Sequence, residues 1–429
     1  MKKKVILSFL MSLIILSGCR GGTPSTSEDS NNTSSEQGKV TISYWNLLTG
    51  ADGTMMRQLV RNFNEEYKGV IEVAEQSVNG DDYYNTLNMM IPIGRGPDVA
   101  IMHSYYVQSY ANRDIIVPID DLVSNSDIDL NDYVEDLVDS LYFNDKLYGI
   151  PLDIHPLGIY YNKDLLEQFN CEVPTSRSEL IECAKKAPNK DGDIWGLPIS
   201  AEWPTDYTFT SSLYQNGGQE LIGLDEPGYE TKEAEEALKA VTDLIHVHKL
   251  SPLELGNDQD LFYFKNNKAL FHIQGIWMLN SIIESDVNFG VIPLSNMFNE
   301  NSELIAVRSH SFVFPYQPKV SQAKREAALT FIKYIGNNSY LWATAGQIPA
   351  SKVARDTDEY KELPYHSGFG KIENFRVAKA SPYYHEAYTP IFSRLTYAMR
   401  NSNYDAEELL RLAAVEGKKL VKEAKENIG

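Results

Sequence analysis

The sequence predicts an α/β protein with two lobes, and three observations lead to this prediction. Runs rich in β-branched and aromatic residues, such as residues 39–46 and 96–103, alternate with helical patterns, which is typical of parallel sheets with helices on both faces. The same alternation continues in the second half of the chain without any repeat of the sequence itself. The stretch from about Lys39 onward is also long enough for two domains with their own cores.

In the first half of the chain, the predicted elements alternate strictly between strand and helix. Residues 39–46 form the first predicted strand, and the spacing of Met56, Leu59, Val60 and Phe63 places these side chains on one face of a helix. The next predicted elements are a strand over 69–78, a helix over 83–90 and a strand over 96–103 that opens at a Gly-Pro turn.

In the second half, the predicted elements follow the same style. They are strands over 146–151 and 157–162, a helix capped at Thr175 or Ser176, a strand over 194–200, a helix over 231–250, a strand, glycine break and helix over 267–282, a strand over 289–295, a helix over 321–336 and a last long helix over 406–424. Outside the N-terminal region, the chain contains no apolar segment of membrane-spanning length.

The N-terminal residues indicate export and attachment to a membrane. Three lysines at residues 2–4 precede an apolar run over residues 5–16, which is too short to span a bilayer and is typical of a secretory signal. The run ends in Leu-Ser-Gly-Cys19, which resembles a bacterial lipobox and implies cleavage before Cys19 and lipidation of its thiol. We therefore expect a signal peptide over 1–18 and, since residues 19–38 are almost devoid of apolar side chains, a flexible tether. An ordinary signal peptide with an incidental cysteine is the alternative.

Charge and cysteine content narrow the class of protein further. Loss of the three signal lysines changes the formal charge from −20 to −23, and so acidic a chain would repel the phosphates of nucleic acid. Besides Cys19, only Cys171 and Cys183 are present, without metal-site spacing and without a Cys-x-x-Cys motif. These two cysteines flank one loop and the helix after it, so they either form a disulfide or remain two partly buried thiols.

Several segments, taken in their order along the chain, resemble one known family. They are the lipobox at Cys19, "GRGPDVAIMHSYYVQSYANRDIIVPIDDL" (94–122), "LYGIPLDIHPLGIYYNKDLLEQF" (147–169), "PTSRSELIECAKK" (174–186), "FKNNKALFHIQGIWML" (264–279) and "FIKYIGNNSYLWATAGQIPASKVAR" (331–355). On these segments the chain is similar to family 1 extracellular solute-binding proteins, the substrate-capturing lipoproteins of ABC sugar importers, such as maltose- and multiple-sugar-binding proteins.

The resemblance implies a periplasmic-binding-protein-like fold of type II, in which two hinge-linked lobes with mostly parallel sheets close on a ligand. It places lobe I at residues 39–152 and about 295–335, and lobe II at about 153–294 and about 336–429. It also implies a monomer, anchored to the outer face of the cell membrane or in the periplasm, that captures a neutral carbohydrate and delivers it to membrane permease subunits. No cofactor is implied.

One motif interrupts a strand-like apolar run with a carboxylate, a histidine and two prolines. This motif, residues 148–165, is where the chain of the family first crosses from one lobe to the other. Pro151 and Pro156 restrict the backbone in a way that suits a strand leaving one sheet for another. The resemblance places Asp153 and His155 at the mouth of the cleft. We expect His155 to contact the ligand, whereas Asp153 either contacts it or forms hydrogen bonds in the hinge.

Trp277 is the residue that we expect at the centre of the ligand site. The glycine in "QGIW" places this indole at the start of a helix, and in relatives such a tryptophan stacks on a sugar ring. The C–H face of a sugar is apolar, so a flat aromatic ring buries it without needing hydrogen bonds from it. The alternative is that Trp277 belongs to the core, which is where we assign Trp342.

Further candidate contacts lie at the carboxyl ends of strands, where open α/β sheets bind ligands, or at positions that align with ligand contacts of relatives. These candidates are Asn46, His103, Tyr105, Trp203, Tyr207, His310, Tyr384 and Tyr388. For Asn46 the alternative is a cap or turn, and one of the three ring residues in "MHSYY" is expected only to pack. The register of Tyr384 and Tyr388 stays open.

Other ligand classes require different residues in the cleft. His103, His155 and His310 could converge, but they lack a short helical spacing and an accompanying cysteine, so we expect no metal site. A glycerol phosphodiester would need a cation, and Arg308 is the only one near a cleft motif. A polyamine would need several carboxylates, of which the cleft motifs supply mainly Asp153. A neutral carbohydrate therefore fits best.

A surface glycoside hydrolase is the alternative from a different functional class. Its chemistry needs two carboxylates about 5–9.5 Å apart that flank one bond. Asp153 is one candidate, and Glu202 is the nearest partner on proximity alone. The sequence contains no G-x-S-x-G, H-E-x-x-H or P-loop motif, so we expect no enzymatic activity.

Overall fold

Residues 38–428 form two main β-sheets with helices packed around them in the computed structural model, which describes these residues. The expected signal peptide, Cys19 and nearly all of the expected tether lie outside the described residues, so the lipid anchor stays a prediction. Within residues 38–428, no helix has both the length and the apolar character that crossing a membrane requires.

The strands of this part of the chain are β1 (Val40–Asn46), β2 (Ile71–Ser77), β3 (Val99–His103), β4 (Tyr142–Phe143), β5 (Lys146–Leu147), β6 (Gly149–Pro151), β7 (Asp153–Asn162), β8 (Leu221–Ile222), β9 (Glu226–Pro227), β10 (Phe271–Gly275), β11 (Phe289–Pro293), β12 (Ile305–Arg308), β13 (His310–Val313), β14 (Ile348–Pro349) and β15 (Phe375–Val377). The helices are α1 (Gly50–Glu66), α2 (Gly80–Met90), α3 (Ser104–Asn112), α4 (Asp120–Ser124), α5 (Glu135–Asp139), α6 (Lys163–Gln168), α7 (Arg177–Ala184), α8 (Thr205–Gln215), α9 (Lys232–His246), α10 (Gln259–Lys265), α11 (Leu279–Ile283), α12 (Gln322–Asn337), α13 (Ser339–Ala343), α14 (Lys352–Arg355), α15 (Asp358–Lys361), α16 (Tyr384–Tyr388), α17 (Pro390–Arg400) and α18 (Ala406–Ile428). Short 3-10 turns cover Leu130–Asp132, Ile276–Met278, His366–Phe369 and Ile372–Asn374.

The first sheet has a parallel centre and the order β2-β1-β3-β13-β6. Strand β1 runs parallel to β2 and β3, whereas β13 runs antiparallel to β3 and β6. Helices α1 and α12 pack on it through large buried rings: Phe331 of α12 lies 5.1 Å from Tyr44 of β1 and 5.3 Å from Phe63 of α1, measured between ring centroids. The apolar face predicted for the first helix is therefore confirmed, because it is buried against this sheet.

The second sheet is built around one long strand, β7, which is buried at nine of its ten positions. It pairs antiparallel with β10, β11, β12 and β14, and only β12 and β15 pair in parallel. The α/β fold class is confirmed, but parallel pairing forms only half of the strand pairs of the first sheet, and the second sheet is mainly antiparallel. The reason is that the neighbours of β7 come from four separate later segments, each of which enters the sheet in the opposite direction.

The chain crosses between the two sheets at two adjacent points. Leu152 separates β6 of the first sheet from β7 of the second, and Ser309 separates β12 of the second from β13 of the first. The crossings are joined by a hydrogen bond, since the backbone N–H of Leu152 donates to the carbonyl of His310 at 2.8 Å. Pro151 and Pro156 lie on either side of the first crossing, as the interrupted strand motif predicts.

The predicted lobe boundaries stay a prediction, although sheet membership bears on them. Within residues 295–335, assigned to lobe I, β12 belongs to the second sheet and β13 to the first. Within residues 336–429, assigned to lobe II, β14 and β15 join the second sheet, whereas α13 packs against α1. A boundary at Ser309 fits this sheet membership better than one at residue 295.

The strand predicted over residues 194–200 is wrong. This segment forms only an isolated bridge at Trp195 and joins neither main sheet. Pro198 has no N–H to donate to a strand ladder. Gly196 packs so closely on Ala184 that a Cβ at residue 196 would lie 2.4 Å from the Ala184 carbonyl oxygen. The segment is held by this contact with α7 and by a few backbone hydrogen bonds to the residues that lead into β10, such as the one from the N–H of Trp195 to the carbonyl of Lys268 at 3.0 Å.

Helix α7 is fixed at both ends as the sequence suggests. The hydroxyl of Ser176 accepts a hydrogen bond from the backbone N–H of Glu179 at 3.3 Å, so Ser176 rather than Thr175 is the cap. Cys183 in the helix forms a disulfide with Cys171 in the preceding loop, with a Cα–Cα distance of 5.8 Å. Of the two alternatives left open for these cysteines, the structure therefore has the disulfide.

Candidate ligand site

A cavity of about 1030 Å³ lies where strand ends of the first sheet face the second sheet. The segment that follows β1 and the residues at the end of β3 line one side of it. His155 of β7, Arg308 of β12 and Trp277, just after β10, line the other side. The position agrees with the rule that open α/β sheets bind ligands at the carboxyl ends of their strands.

Trp277 forms one wall of this cavity. It lies in the 3-10 turn that follows β10, and its ring is parallel to that of Tyr207 within 8°, with centroids 6.2 Å apart. Trp203 lies beside it at 5.7 Å. Gly275 permits this arrangement, because a Cβ at residue 275 would come within 2.2 Å of the Trp277 ring. The glycine break in the sequence thus has a steric cause, and Trp277 is a partly buried wall residue.

We call Trp203, Tyr207 and Trp277 the aromatic wall, and neighbouring polar groups hold it in place. The hydroxyl of Tyr207 donates to the backbone carbonyl of His155 at 2.6 Å. The guanidinium of Arg308 lies 4.4 Å from the centroid of the Tyr207 ring and 5.7 Å from that of Trp203. Tyr207 is therefore fully buried within the wall, whereas Trp203 and Trp277 keep part of their surface exposed.

Arg308 is a buried cation whose charge is already paired. Its Nη2 lies 2.6 Å from Oδ2 of Asp206, and both side chains are about nine-tenths buried. Burial disfavours the charged guanidinium, but the Asp206 carboxylate outweighs this and raises the pKa of Arg308 well above its usual range. Because a buried pair of this kind is self-compensating, Arg308 is not free to receive an anionic ligand.

We call His103, His155 and His310 the histidine centre, and Asp153 lies fully buried next to it. Asp153 accepts hydrogen bonds from the backbone N–H of His310 at 2.8 Å, from Nδ1 of His310 at 2.9 Å and from Nε1 of Trp342 at 3.0 Å. Nδ1 of His155 is 3.4 Å away. Burial acts to raise the Asp153 pKa, but the charge of His310 and the bonds from both histidines hold it well below its usual range.

The surroundings shift the pKa values of the three histidines in different directions. Burial, assisted by the charge of His310, lowers the pKa of His103 well below its usual value, and burial also lowers the pKa of His155 to about 4. Burial opposes the charged form of His310 too, but the adjacent Asp153 carboxylate outweighs it and raises the His310 pKa. His103 and His155 are therefore neutral at pH 7, and each can both donate and accept hydrogen bonds.

The segment after β1 contributes a carboxylate that sequence reasoning missed. Asp52, in the first turn of α1, lines the cavity and accepts a hydrogen bond from Nε2 of Gln347 at 2.9 Å. Within residues 38–428, its other oxygen, Oδ1, has no hydrogen-bond partner. Burial raises the pKa of Asp52 to about 7. Asn46 was selected because ligand residues often lie at the carboxyl ends of strands. The same rule, applied to the segment that follows β1 as well, would have selected Asp52.

A second cavity, of about 370 Å³, adjoins the first one. The two cavities share Tyr105, Trp203 and Arg308. Tyr384 lines the second cavity, and its hydroxyl donates to the buried carboxylate of Glu220 at 2.7 Å. Tyr384 therefore lies in space next to the main cavity rather than in the main cavity itself.

The structure brings most of the predicted ligand residues to one place. Those that line the main cavity are His103, Tyr105, His155, Trp203, Tyr207, Trp277 and His310. Asp153, Asn46 and Tyr388 line neither cavity. Asn46 is buried in a turn, where its Oδ1 accepts from the N–H of Leu48 at 3.1 Å, and the Tyr388 hydroxyl pairs with Thr210 at 2.6 Å. Asp153 belongs to the hydrogen-bond network between the two crossings, which corresponds to the second of its two predicted roles.

The fold and the cavity define a two-lobe binding protein of type II, in which two sheets joined by adjacent crossings enclose a site. Residues 58–367 match the family described as bacterial extracellular solute-binding protein. The chain belongs to this family, as the resemblance of its motifs predicts, and membership of an extracellular family implies that it is exported.

Two relatives are similar over most of the chain. The maltotriose-binding protein of Pyrococcus abyssi is 23% identical over 352 residues, which cover 80% of this chain and 74% of the relative. The multiple sugar-binding protein of Streptococcus mutans is also 23% identical over 352 residues, which cover 78% of each chain.

Solved structures of the same architecture superpose over nearly the whole chain. The GacH receptor of Streptomyces glaucescens, known in unliganded form and in complex with acarbose, has a TM-score of 0.78 at 18% identity and covers 90% of this chain and 99% of its own. The maltose/maltodextrin-binding domain MalE of Bdellovibrio bacteriovorus, bound to maltotriose, has a TM-score of 0.75 at 21% identity and covers 89% of this chain and 100% of its own. At such identities these likenesses show the fold.

Proposed function

We propose that this chain captures a neutral oligosaccharide outside the cell and delivers it to the membrane permease of an ABC importer. The observation that carries the proposal is the aromatic wall, where the partly exposed rings of Trp203 and Trp277 line a cavity that neutral His103 and His155 also line. A sugar ring has an apolar face that stacks on aromatic rings, and its hydroxyl groups need donors and acceptors. The cavity offers both kinds of contact.

The size of the site favours a ligand of more than one sugar ring. Sites for small ligands have volumes of about 300–1,000 Å³, and the main cavity lies at the upper end of this range at about 1030 Å³. The adjoining cavity of about 370 Å³ adds space next to Trp203, which lines both cavities. Relatives named for maltotriose and for arabinooligosaccharides agree with this choice.

The charges around the cavity favour a neutral ligand. Among the described residues that line it, Arg308 is the only lysine or arginine, and Asp206 neutralises it at 2.6 Å. The Asp153 carboxylate is out of reach, because His310 and Trp342 occupy its oxygens. A glycerol phosphodiester would thus meet no free cation. A polyamine would not reach Asp153, and burial raises the pKa of the lining residue Asp52 to about 7, which works against an ion pair with an amine.

The same contacts favour binding without catalysis. The hydrolase alternative needs Asp153 and Glu202 as a carboxylate pair on one bond. Asp153 is fully buried, and Glu202 forms an ion pair with Arg400 at 2.7 Å. Neither carboxylate is free to act on a sugar held against Trp277.

In the proposed transport cycle, the ligand contacts residues of both sheets. His103 and Tyr105 belong to the first-sheet side, whereas His155 and Trp277 belong to the second. A ligand shifts the balance between open and closed lobes only to the extent that it binds the closed form better, and contacts to both sides supply that difference. The closed, monomeric protein, tethered through lipidated Cys19, then docks on the permease.

Calorimetric titration of residues 39–429 tests the proposed function. The panel consists of malto-, arabino- and galacto-oligosaccharides, with polyamines and glycerol phosphodiesters as controls, and a chelator is present throughout. We expect one oligosaccharide to bind with a one-to-one stoichiometry and to remain intact after incubation. Binding of a control compound alone, or release of shorter sugars, would contradict the proposal.

A further inference from the structure

The three rings of the histidine centre converge from both sheets. His103 and His310 are directly opposite each other on the neighbouring strands β3 and β13, with ring centroids 4.7 Å apart. His155 enters from β7 and lies 4.6 Å from His310. One ring nitrogen of each histidine lies within 4.8 Å of the corresponding nitrogens of the other two.

Two of these rings are held by hydrogen bonds through Nδ1, and the third has a carboxylate near its Nδ1. Nδ1 of His103 is 2.6 Å from the hydroxyl of Tyr84, and Nδ1 of His310 is 2.9 Å from Asp153. Nδ1 of His155 also faces Asp153, at 3.4 Å. Across residues 38–428, no protein group forms a hydrogen bond with Nε2 of any of the three.

This arrangement matches the surroundings of histidines that ligate metal ions. A ligating imidazole usually engages a carboxylate or another oxygen through its second nitrogen, which fixes the orientation of the ring. Asp153 plays this part for His310 and Tyr84 plays it for His103, whereas Nδ1 of His155 lies near Asp153 without a hydrogen bond. The buried carboxylate also supplies negative charge next to the site, and the nearby cation Arg308 is neutralised by Asp206.

We propose that His103, His155 and His310 bind a divalent transition-metal ion, with Zn²⁺ as the best match, at the base of the main cavity. Three imidazoles suit Zn²⁺, Ni²⁺ or Cu²⁺, whereas Mg²⁺ and Ca²⁺ prefer oxygen ligands. Bond lengths of about 2.0–2.1 Å in a tetrahedral site bring the nitrogens to about 3.4 Å from one another, so small movements of the side chains close the observed spacing.

The geometry leaves the fourth position of a tetrahedral ion open to the cavity. Water or a ligand hydroxyl would occupy it, as in sites with three protein ligands. Because His155 belongs to the second sheet and the other two histidines to the first, the ion would also link the two sides of the site. This inference goes beyond carbohydrate capture and does not depend on it.

The test is titration of the purified, chelator-treated protein with Zn²⁺ alone, followed by calorimetry and by metal analysis after gel filtration. We expect one Zn²⁺ per chain, and no stoichiometric binding in His103→Gln or His155→Gln. The exposed His385 provides the matched control, since His385→Gln should bind as the wild type does. Tyr84→Phe keeps all three ligands and removes one orienting hydroxyl, so its affinity should fall about 10- to 100-fold.

A wild-type measurement keeps the test independent of how the variants fold. Co²⁺ in place of Zn²⁺ should give the visible absorption of a tetrahedral nitrogen-bound ion, because geometry and ligand type determine that spectrum. Failure of the wild type to retain Zn²⁺, or equal retention by His103→Gln and His155→Gln, would overturn the proposal. Since the sugar titration is made with a chelator present, neither result changes the outcome for carbohydrate capture.

Discussion

The aromatic wall and the histidine centre face the same cavity but are built in different ways. Trp277 is placed by local sequence, because Gly275 leaves space for its ring and the 3-10 turn follows directly from β10. The histidine centre depends on Asp153, which accepts from His310, 157 residues away, and from Trp342, 189 residues away. Trp277 is therefore held by packing and the histidine centre by a buried polar network.

This difference predicts which part of the site tolerates amino-acid substitutions. Loss of Trp277 removes contact area for a ligand but breaks no hydrogen bond of a buried group. Loss of a member of the polar network leaves buried donors and charges unsatisfied, which costs folding free energy. We therefore expect substitution of Trp277 to affect mainly ligand affinity, and substitutions in the polar network to affect mainly the free energy of unfolding.

The largest expected effect is that of Asp153→Ala on stability. The substitution leaves the buried His310 without its carboxylate and Trp342 without its acceptor, so the free energy of unfolding should fall by about 3–5 kcal/mol. Urea denaturation measures it. The matched control is Glu408→Ala, which breaks an exposed ion pair with Arg411 and should leave stability nearly unchanged. Equal effects of the two substitutions would remove the proposed distinction.

The next effect is that of Trp277→Ala on ligand affinity. Removal of a central stacking ring should weaken binding of the identified oligosaccharide by roughly 2–4 kcal/mol, or about 30- to 700-fold. Thermal unfolding should change little, because Trp277 is only partly buried. Calorimetry gives the affinity, with the exposed Tyr397 as control in Tyr397→Ala. Wild-type affinity in Trp277→Ala would show that the wall does not carry binding.

Gly275→Ala sharpens the comparison because it should displace the Trp277 ring without removing it. The added methyl group would collide with the Trp277 ring at 2.2 Å, and overpacking of this kind costs about 1–3 kcal/mol. We expect an affinity about tenfold lower than that of the wild type, with the Trp277 side chain still present. Gly80→Ala is the control, since a Cβ there meets nothing within 4 Å. Equal affinities of both variants would argue against a steric role for Gly275.

The smallest expected effect concerns the pH dependence of stability, through Asp52. Its pKa is about 7 in the folded chain against 3.8 when unperturbed, so the folded state keeps a proton that the unfolded state has released. Stability should therefore fall as pH rises from about 4 to about 7 and stay level above that range. Relative to Asp52→Asn, the free energy of unfolding of the wild type should fall by roughly 1–2 kcal/mol over this pH range. This is less than the full value of about 1.4 kcal/mol per pKa unit, because Asp52 borders an open cavity.

Urea denaturation of both proteins between pH 4 and pH 8 measures the effect of Asp52. The difference between the two curves isolates this one group from every other titrating residue. Parallel curves would mean that Asp52 is already ionised at pH 5 in the folded chain. The first turn of α1 would then be more open to water than the structure has it.

The fold and the aromatic wall were largely predictable from sequence, because both rest on local patterns. The apolar spacing in α1, the cap at Ser176 and the glycine before Trp277 each act over a few residues. The antiparallel second sheet was not predictable, because its pairing depends on which distant segments meet β7. The pairing of Arg308 with Asp206 was missed for the same reason, since 102 residues separate them.

A crystal structure of the protein with the oligosaccharide that binds most tightly is the most direct test of the central claim. We predict that one sugar ring stacks on Trp277 and that its hydroxyl groups reach His155 from one side and His103 or Tyr105 from the other. A ligand bound outside the main cavity, or inside it without contact to Trp277, would contradict the account.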